Sequence, residues 1–202
     1  MFNRCFAIVL GAMLSVSVAL ADAGSPVTML KGVANGMIAQ LEKNKSRLKQ
    51  ANVIYDIVDK ELIPNIALDY MGMSVVGRNH WKQATAQQQQ AFISAFTKLV
   101  TSTYSAALAS YNGDKVKFYP LRQDFSKARI ISVRSVIVRR NGQKIPVTYN
   151  LVRANGRWLI YDFSIENVSI TRSYNAQFAD ILSKQGMDGL LAKLQKHNRK
   201  TQ

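Results

Sequence analysis

Two Asn-Gly pairs, Asn141-Gly142 and Asn155-Gly156, separate runs of β-branched and aromatic residues in the second half of this chain. Such a pair supplies the left-handed residues of a tight turn whose twist matches the strands it joins. Strands linked in this way pair in chain order, as an antiparallel meander. The runs cover residues 127–139, 144–153 and 157–166, with an earlier one at 115–121. Within 144–153, Ile145, Val147, Tyr149 and Leu151 alternate with Pro146, Thr148 and Asn150, giving one buried and one wet face. Leu159, Tyr161, Phe163 and Ile165 alternate similarly in the next run.

Before residue 112 the period changes. Val27, Leu30, Val33, Ala34, Met37, Ile38 and Leu41 recur at three- and four-residue spacings, one face of an amphipathic helix. A second helix is expected over 53–62, stopping near Pro64, and a third over 65–76, capped by Gly77. Thr85 followed by Gln88 forms a capping-box pattern that opens a long helix to about residue 111. After the sheet, 169–183 reads as a helix that Gly186 ends, and 188–196 as a last helical piece. The tail 196–200 reads as disordered. Helices, then a meander, then a closing helix make an α+β fold, with a curved antiparallel sheet packed against several helices. The sheet and the long helix enclose an apolar wedge, and periodicity does not distinguish solid core from a cavity there.

The N-terminus sets the compartment. Arg4 is followed by an uncharged apolar stretch from Phe6 to Leu20, then by the small-residue pattern Ala19-Leu20-Ala21. This predicts a secretory signal peptide over 1–21 and a single domain over 22–202, with helices at about 25–111, sheet at about 115–166 and closing helices at about 168–196. The one cysteine, Cys5, falls in the leader, so no disulfide supports the fold, which must rest on core packing. With one Cys and two His, a Cys- or His-built metal site is not expected.

Lys and Arg number 27 against 12 Asp and Glu, a net charge of +15. Residues 115–157 carry 11 of the basic residues and a single acid, Asp124. That stretch reads as a solvated outer sheet face or as a docking surface for anionic membranes or acidic partners. The secretory leader and the lack of an aromatic-basic RNA motif argue against nucleic acid. Asp56, Asp59 and Glu61 share a short helix with Lys60 between them, ordinary surface chemistry. Asp162 is the more interesting carboxylate, but neither His80 nor His197 has a catalytic context, and structural pairing of Asp162 with an arginine is expected. No nucleophile elbow or phosphate loop is present.

Two ordered sets of residues carry a resemblance. The first is Ile57-Val58-Asp59-Lys60-Glu61-Leu62-Ile63-Pro64, then Asp69, Val76-Gly77, Trp81, Ala84-Thr85, Gln88, Phe92, Phe96, Leu99, Tyr104 and Tyr111. The second is Trp158, Tyr161-Asp162, Val168-Ser169-Ile170, Tyr174, Gln177-Phe178, Gly186 and Leu190-Leu191. Together they resemble the MlaC family of periplasmic phospholipid-binding proteins, the toluene-tolerance auxiliary family. Two positions depart from the family pattern: Asn167, usually Gly, which a left-handed turn tolerates, and Asn175, often Arg.

The resemblance implies a nuclear-transport-factor-like fold with an apolar cavity between sheet and helices. It implies a soluble periplasmic carrier that shuttles glycerophospholipid between the membranes and maintains outer-membrane lipid asymmetry. The implied partners are an inner-membrane ABC transporter complex with lipid-binding ring subunits and an outer-membrane lipoprotein–porin complex. A monomer is expected, with no cofactor other than the lipid cargo, no catalytic residue and no metal. The alternative is a secreted hydrolase or isomerase on the same fold. The stripes that read as ordinary core from sequence alone become lipid-lining residues under the resemblance: Val76, Trp81, Phe92, Phe96, Leu99, Val133, Val147, Tyr149, Leu151 and Phe163.

Overall fold

The computed structural model describes residues 24–200; the expected leader at 1–21 lies outside them. Among these residues six α-helices and five strands follow one another as α1 (Pro26–Lys43), α2 (Ala51–Ile57), α3 (Leu68–Val76), α4 (Arg78–Gln83), α5 (Ala86–Ala109), β1 (Lys115–Phe118), β2 (Ile130–Val138), β3 (Lys144–Ala154), β4 (Arg157–Ile165), β5 (Val168–Ser169) and α6 (Ile170–Lys200). This is the α+β arrangement expected, with every strand antiparallel to its chain neighbour in the order β1-β2-β3-β4-β5.

The local signals act as the chemistry requires. Thr85 Oγ1 accepts from the Gln88 amide and the Gln88 side chain accepts from the Thr85 amide, so both halves of the capping box open α5. Gly142 and Gly156 take φ values of 84° and 75° at the two hairpin turns, and Asn155 takes 50°. Glu166 and Asn167 turn β4 into β5 with φ of 51° and 67°, so Asn167 adopts the left-handed backbone its position demands.

Some expectations need correction. The short helix α4 and the two-residue strand β5 were not expected. Residues 196–200 continue α6 rather than forming a disordered tail, and Asn198 Nδ2 donates to the Ala95 carbonyl of α5 at 2.9 Å. Gly186, by contrast, ends a first helical piece as expected, and a second follows it within α6. The glycine interrupts α6 with φ 61° and ψ −159°, and the buried stripe Ile170, Tyr174, Phe178, Leu182 steps by five, instead of four, to Met187 before continuing to Leu190 and Leu194.

The largest correction concerns β4. Asn150 faces Asp162 and Leu151 faces Ile160, which leaves Tyr161 as an extra residue in β4. A one-residue bulge reverses the face of everything beyond it. Phe163 and Ile165 therefore lie on the face of Tyr149 and Val147, as expected, but Trp158 and Ile160, not Leu159, continue that face. The expected alternation of Leu159 with Phe163 is broken by the bulge.

The helices cover one face of the sheet. They approach it most closely at β4, through α3 and α6, and the Ala67 amide donates to the Ile160 carbonyl at 2.8 Å. The opposite face is wet at β2, where Ser132 and Arg134 are exposed. Apolar side chains form two clusters. The main one holds Phe92, Phe96, Trp81, Val133, Leu151 and Ile160, with the α6 stripe. A smaller one joins the end of α1 to α2 around Leu41, Val53, Ile54 and Ile57, with Leu108 and Tyr111 from the end of α5 and beyond. Leu62 and Ile63 touch both.

Candidate functional site

The inner face of the sheet consists of cross-strand rows fixed by register. One row is Ile131, Leu151 and Ile160; the next is Val133, Tyr149 and Phe163. All six belong to the main cluster or pack against it. The third row is Phe118, Ser135, Val147 and Ile165, and the fourth is Val116, Ile137 and Ile145. Here the packed core gives way. Val147 is buried, yet belongs to neither cluster, and Val116, Ile137, Ile145 and Ile165 are half-buried and belong to neither.

The ends of this region are pinned. Helix α5 starts in the main cluster with Phe92, Phe96 and Leu99, and its partly buried Val100, Tyr104 and Leu108 follow at four-residue steps along one face. Beyond its end, Ser110 Oγ accepts from Arg139 Nη1 at 3.1 Å, and Arg139 pairs with Asp114 at 3.8 Å. Arg139 immediately follows β2, so the far end of α5 is tied to the far end of the sheet. Tyr111 lies beside this junction. Burial, a hydrogen bond to Glu42 and the negative charges of Glu42 and Asp114 push its hydroxyl up to about 12.

The ten residues expected to line the cavity divide accordingly. Val76, Trp81, Phe92, Phe96, Leu99, Val133 and Leu151 are buried within the main cluster. The Phe92 and Phe96 rings stack at 5.4 Å, Trp81 meets Phe92 edge-on at 6.1 Å, and Tyr174 meets Phe96 edge-on at 5.1 Å. Tyr149 and Phe163 pack partly buried at the edge of that cluster, and Val147 lies outside it. Val116, Phe118, Ile137, Ile145 and Ile165 of the third and fourth rows are not among the ten. Their signal was present, because Val116 and Ile137 alternate within their own strands in phase with the buried face. Two surface clefts, one lined by Gln40, Asp56 and Lys60 and one by Ala91, Lys98 and Gln195, share none of the ten.

Several polar groups near the sheet are committed to structure. Asp162 is buried, and its partners are not an arginine. Its carboxylate accepts from Ser169 Oγ at 2.8 Å, the Thr171 amide at 3.0 Å and Asn150 Nδ2 at 3.2 Å, while Ser132 Oγ donates to Asn150 Oδ1 at 2.6 Å. This relay crosses three strands and fixes the start of α6. Asn175 donates to the Val75 carbonyl at 2.8 Å, joining α6 to α3. Arg153 is likewise engaged: it lies 4.6 Å over the Trp158 ring and donates to the Ser126 and Phe125 carbonyls. Among the described residues no group of three or more His, Cys, Asp or Glu could hold a metal ion, and no helix is long and apolar enough to cross a membrane.

Known proteins share this arrangement. A solved phospholipid-binding protein from Ralstonia solanacearum, in complex with a phospholipid, superposes with a TM-score of 0.81 at 27% identity, covering 90% of this chain and 99% of that one. The intermembrane phospholipid transport system binding protein MlaC of Haemophilus influenzae is 29% identical over 191 residues, 93% of this chain and 88% of the relative. The toluene tolerance protein ttg2D of Pseudomonas putida is 26% identical over 167 residues, 82% of this chain and 77% of the relative. The family described as MlaC protein matches residues 31–196, and with the fold and the apolar inner face it follows that this chain belongs to the MlaC family.

Proposed function

We propose that this protein is a periplasmic phospholipid carrier, that residues 1–21 are a secretory leader removed on export, and that the chain works as a monomer without a catalytic role. The observation that supports this reading best is the inner face of β1–β4. Its third and fourth rows present Val116, Ile137, Ile145, Val147 and Ile165 outside both packed clusters, in a chain similar to a phospholipid-bound protein. Acyl chains lie over these rows, with Val147 and Tyr149 at the border of the solid core. Of the ten expected lining residues, those within the main cluster then act as its wall.

Magnitudes shape how such a carrier works. Burying each CH₂ is worth about 0.8 kcal/mol against water, so one chain of ~15 carbons is worth ~12 kcal/mol. The lipid comes from a bilayer where its chains are already buried, so exchange is near neutral while escape into water is very slow. A passive carrier therefore needs a dry path at each end. The Haemophilus influenzae relative's name places it in an intermembrane phospholipid transport system, and by that likeness the partners proposed are an inner-membrane ABC transporter complex with lipid-binding ring subunits and an outer-membrane lipoprotein–porin complex.

The test is lipid extraction and mass spectrometry of the protein purified without detergent. Stoichiometric glycerophospholipid is expected. Recovery without lipid, together with turnover of an ester or isomerisable substrate, would replace this reading with an enzyme on the same fold.

A further inference from the structure

The inner face carries one group that its surroundings leave unsatisfied. Ser135 is 2% exposed, and its hydroxyl completes no hydrogen bond. Buried hydroxyls in native proteins almost always have partners, and an orphan is destabilising, so each needs an explanation. Strand register gives its position. Ser135 lies opposite Val147 on one side and Phe118 on the other, in the row where the packed core gives way. The Phe118 and Tyr149 rings come within 5.9 Å of each other from the strands on either side of β2, and both are only half-buried. The Tyr149 hydroxyl is a second donor beside it. Burial raises its pKa, and the neighbouring Ser135 hydroxyl opposes that rise. Two hydroxyl donors thus stand together on an otherwise apolar wall, at the border between solid core and the uncovered rows.

Resting on the carrier reading above, we propose that Ser135 and Tyr149 form a subsite for a carbonyl oxygen, filled by an acyl ester of the bound phospholipid. A phospholipid has few acceptors that can lie on an apolar wall, and the ester carbonyl at the head of each acyl chain is one. Its oxygen takes a hydrogen bond from Ser135 Oγ or from the Tyr149 hydroxyl once the Phe118 and Tyr149 rings part. The subsite sets the depth to which the lipid enters: chains over the apolar rows, the glycerol linkage at the hydroxyl pair.

The discriminating probe is a lipid without that carbonyl. Delipidated protein is loaded from an equimolar mixture of dipalmitoyl phosphatidylglycerol and its dihexadecyl ether analogue, and the bound ratio is read by mass spectrometry. The wild type should favour the diester about three- to tenfold, the range of one net hydrogen bond. Ser135→Ala should bring the ratio close to one by lowering diester uptake alone, and Tyr149→Phe should lower it partly. Because the Ser135 hydroxyl completes no well-aligned hydrogen bond within the protein, Ser135→Ala should leave the unfolding midpoint of delipidated protein unchanged or higher. A wild type that takes both lipids alike, or a Ser135→Ala protein that keeps the preference, overturns the subsite while leaving the carrier reading intact. Uptake of neither lipid overturns both. Palmitate separates the two sources of a carbonyl. If equimolar palmitate displaces the diester from wild type but not from Ser135→Ala, the site's ligand is a free fatty acid, and the ester assignment is overturned.

Discussion

A β-carbon built on Gly72 of α3 would stand 2.5 Å from Cη2 of Trp81 in α4, so the indole occupies the space that any side chain at position 72 would need. The ring cannot retreat easily, since Trp81 is buried and meets Phe92 edge-on. Gly72→Ala should therefore destabilise the protein by about 1–2 kcal/mol, with overpacking outweighing the roughly 1 kcal/mol gain in helix propensity. Gly32 of α1 supplies the control. Nothing lies within 4 Å of its would-be β-carbon, and Gly32→Ala should stabilise by up to about 1 kcal/mol. Urea unfolding of both variants gives the two signs.

Val147→Trp separates solid core from lipid site. In a packed interior the larger ring would cost about 1–3 kcal/mol or more. Val147 lies in neither apolar cluster, so the delipidated variant should unfold near the wild-type midpoint while retaining little co-purified lipid. Val133→Trp, one row deeper and fully buried in the main cluster, should lose stability with or without lipid. Equal loss of stability in the two variants would place Val147 in the core.

Replacing Asp162 tests the relay that fixes α6. Asp162→Ala leaves the Thr171 amide and the Ser169 hydroxyl without their acceptor, and should cost about 2–3 kcal/mol. Asp162→Asn retains one acceptor oxygen and should cost less. Amide hydrogen exchange at Thr171 should quicken in the alanine variant before exchange in β2 and β3 does.

Tyr111 makes stability fall in alkali. Folded, its hydroxyl holds a proton to about 12; unfolded, it releases it at the ordinary value of 10. Between those values the unfolded chain binds fewer protons, so the contribution is whole below pH 10 and is lost as pH rises towards 12. The urea midpoint of the wild type should fall more steeply from pH 9 to 11.5 than that of Tyr111→Phe. Parallel slopes would mean the tyrosine is unperturbed.

Local chemistry made most of the fold legible. The Asn-Gly pairs named the hairpins, Thr85 and Gln88 named the start of α5, and Gly77 marked the end of α3. What stayed hidden was set by contacts distant in the chain. The Tyr161 bulge follows from how β4 must serve both β3 and the buried Asp162, and no alternation within β4 announces it. Residues 196–200 read as a charged tail because Asn198 finds its acceptor on Ala95, 103 positions earlier. Parity placed Val147 and Tyr149 on the same sheet face as Leu151 and Val133. Which apolar residues are wall and which are core depends on where the helices stop covering the sheet, and a single strand's pattern holds no trace of that.

The order of the chain also sets an order of assembly. Each strand pairs only with its immediate neighbours in sequence, so the sheet closes through short loops at small entropic expense. The ring of Phe96 has no such local solution. Its edge-on partners Tyr174 and Phe178 sit on α6, which follows the whole sheet in chain order. Until α6 docks, Phe96 stands open on one side beside a finished meander. The vulnerable species on the folding route is thus a chain folded through Ser169 with α6 not yet docked, and a factor that shields the α5 aromatics would act on that form.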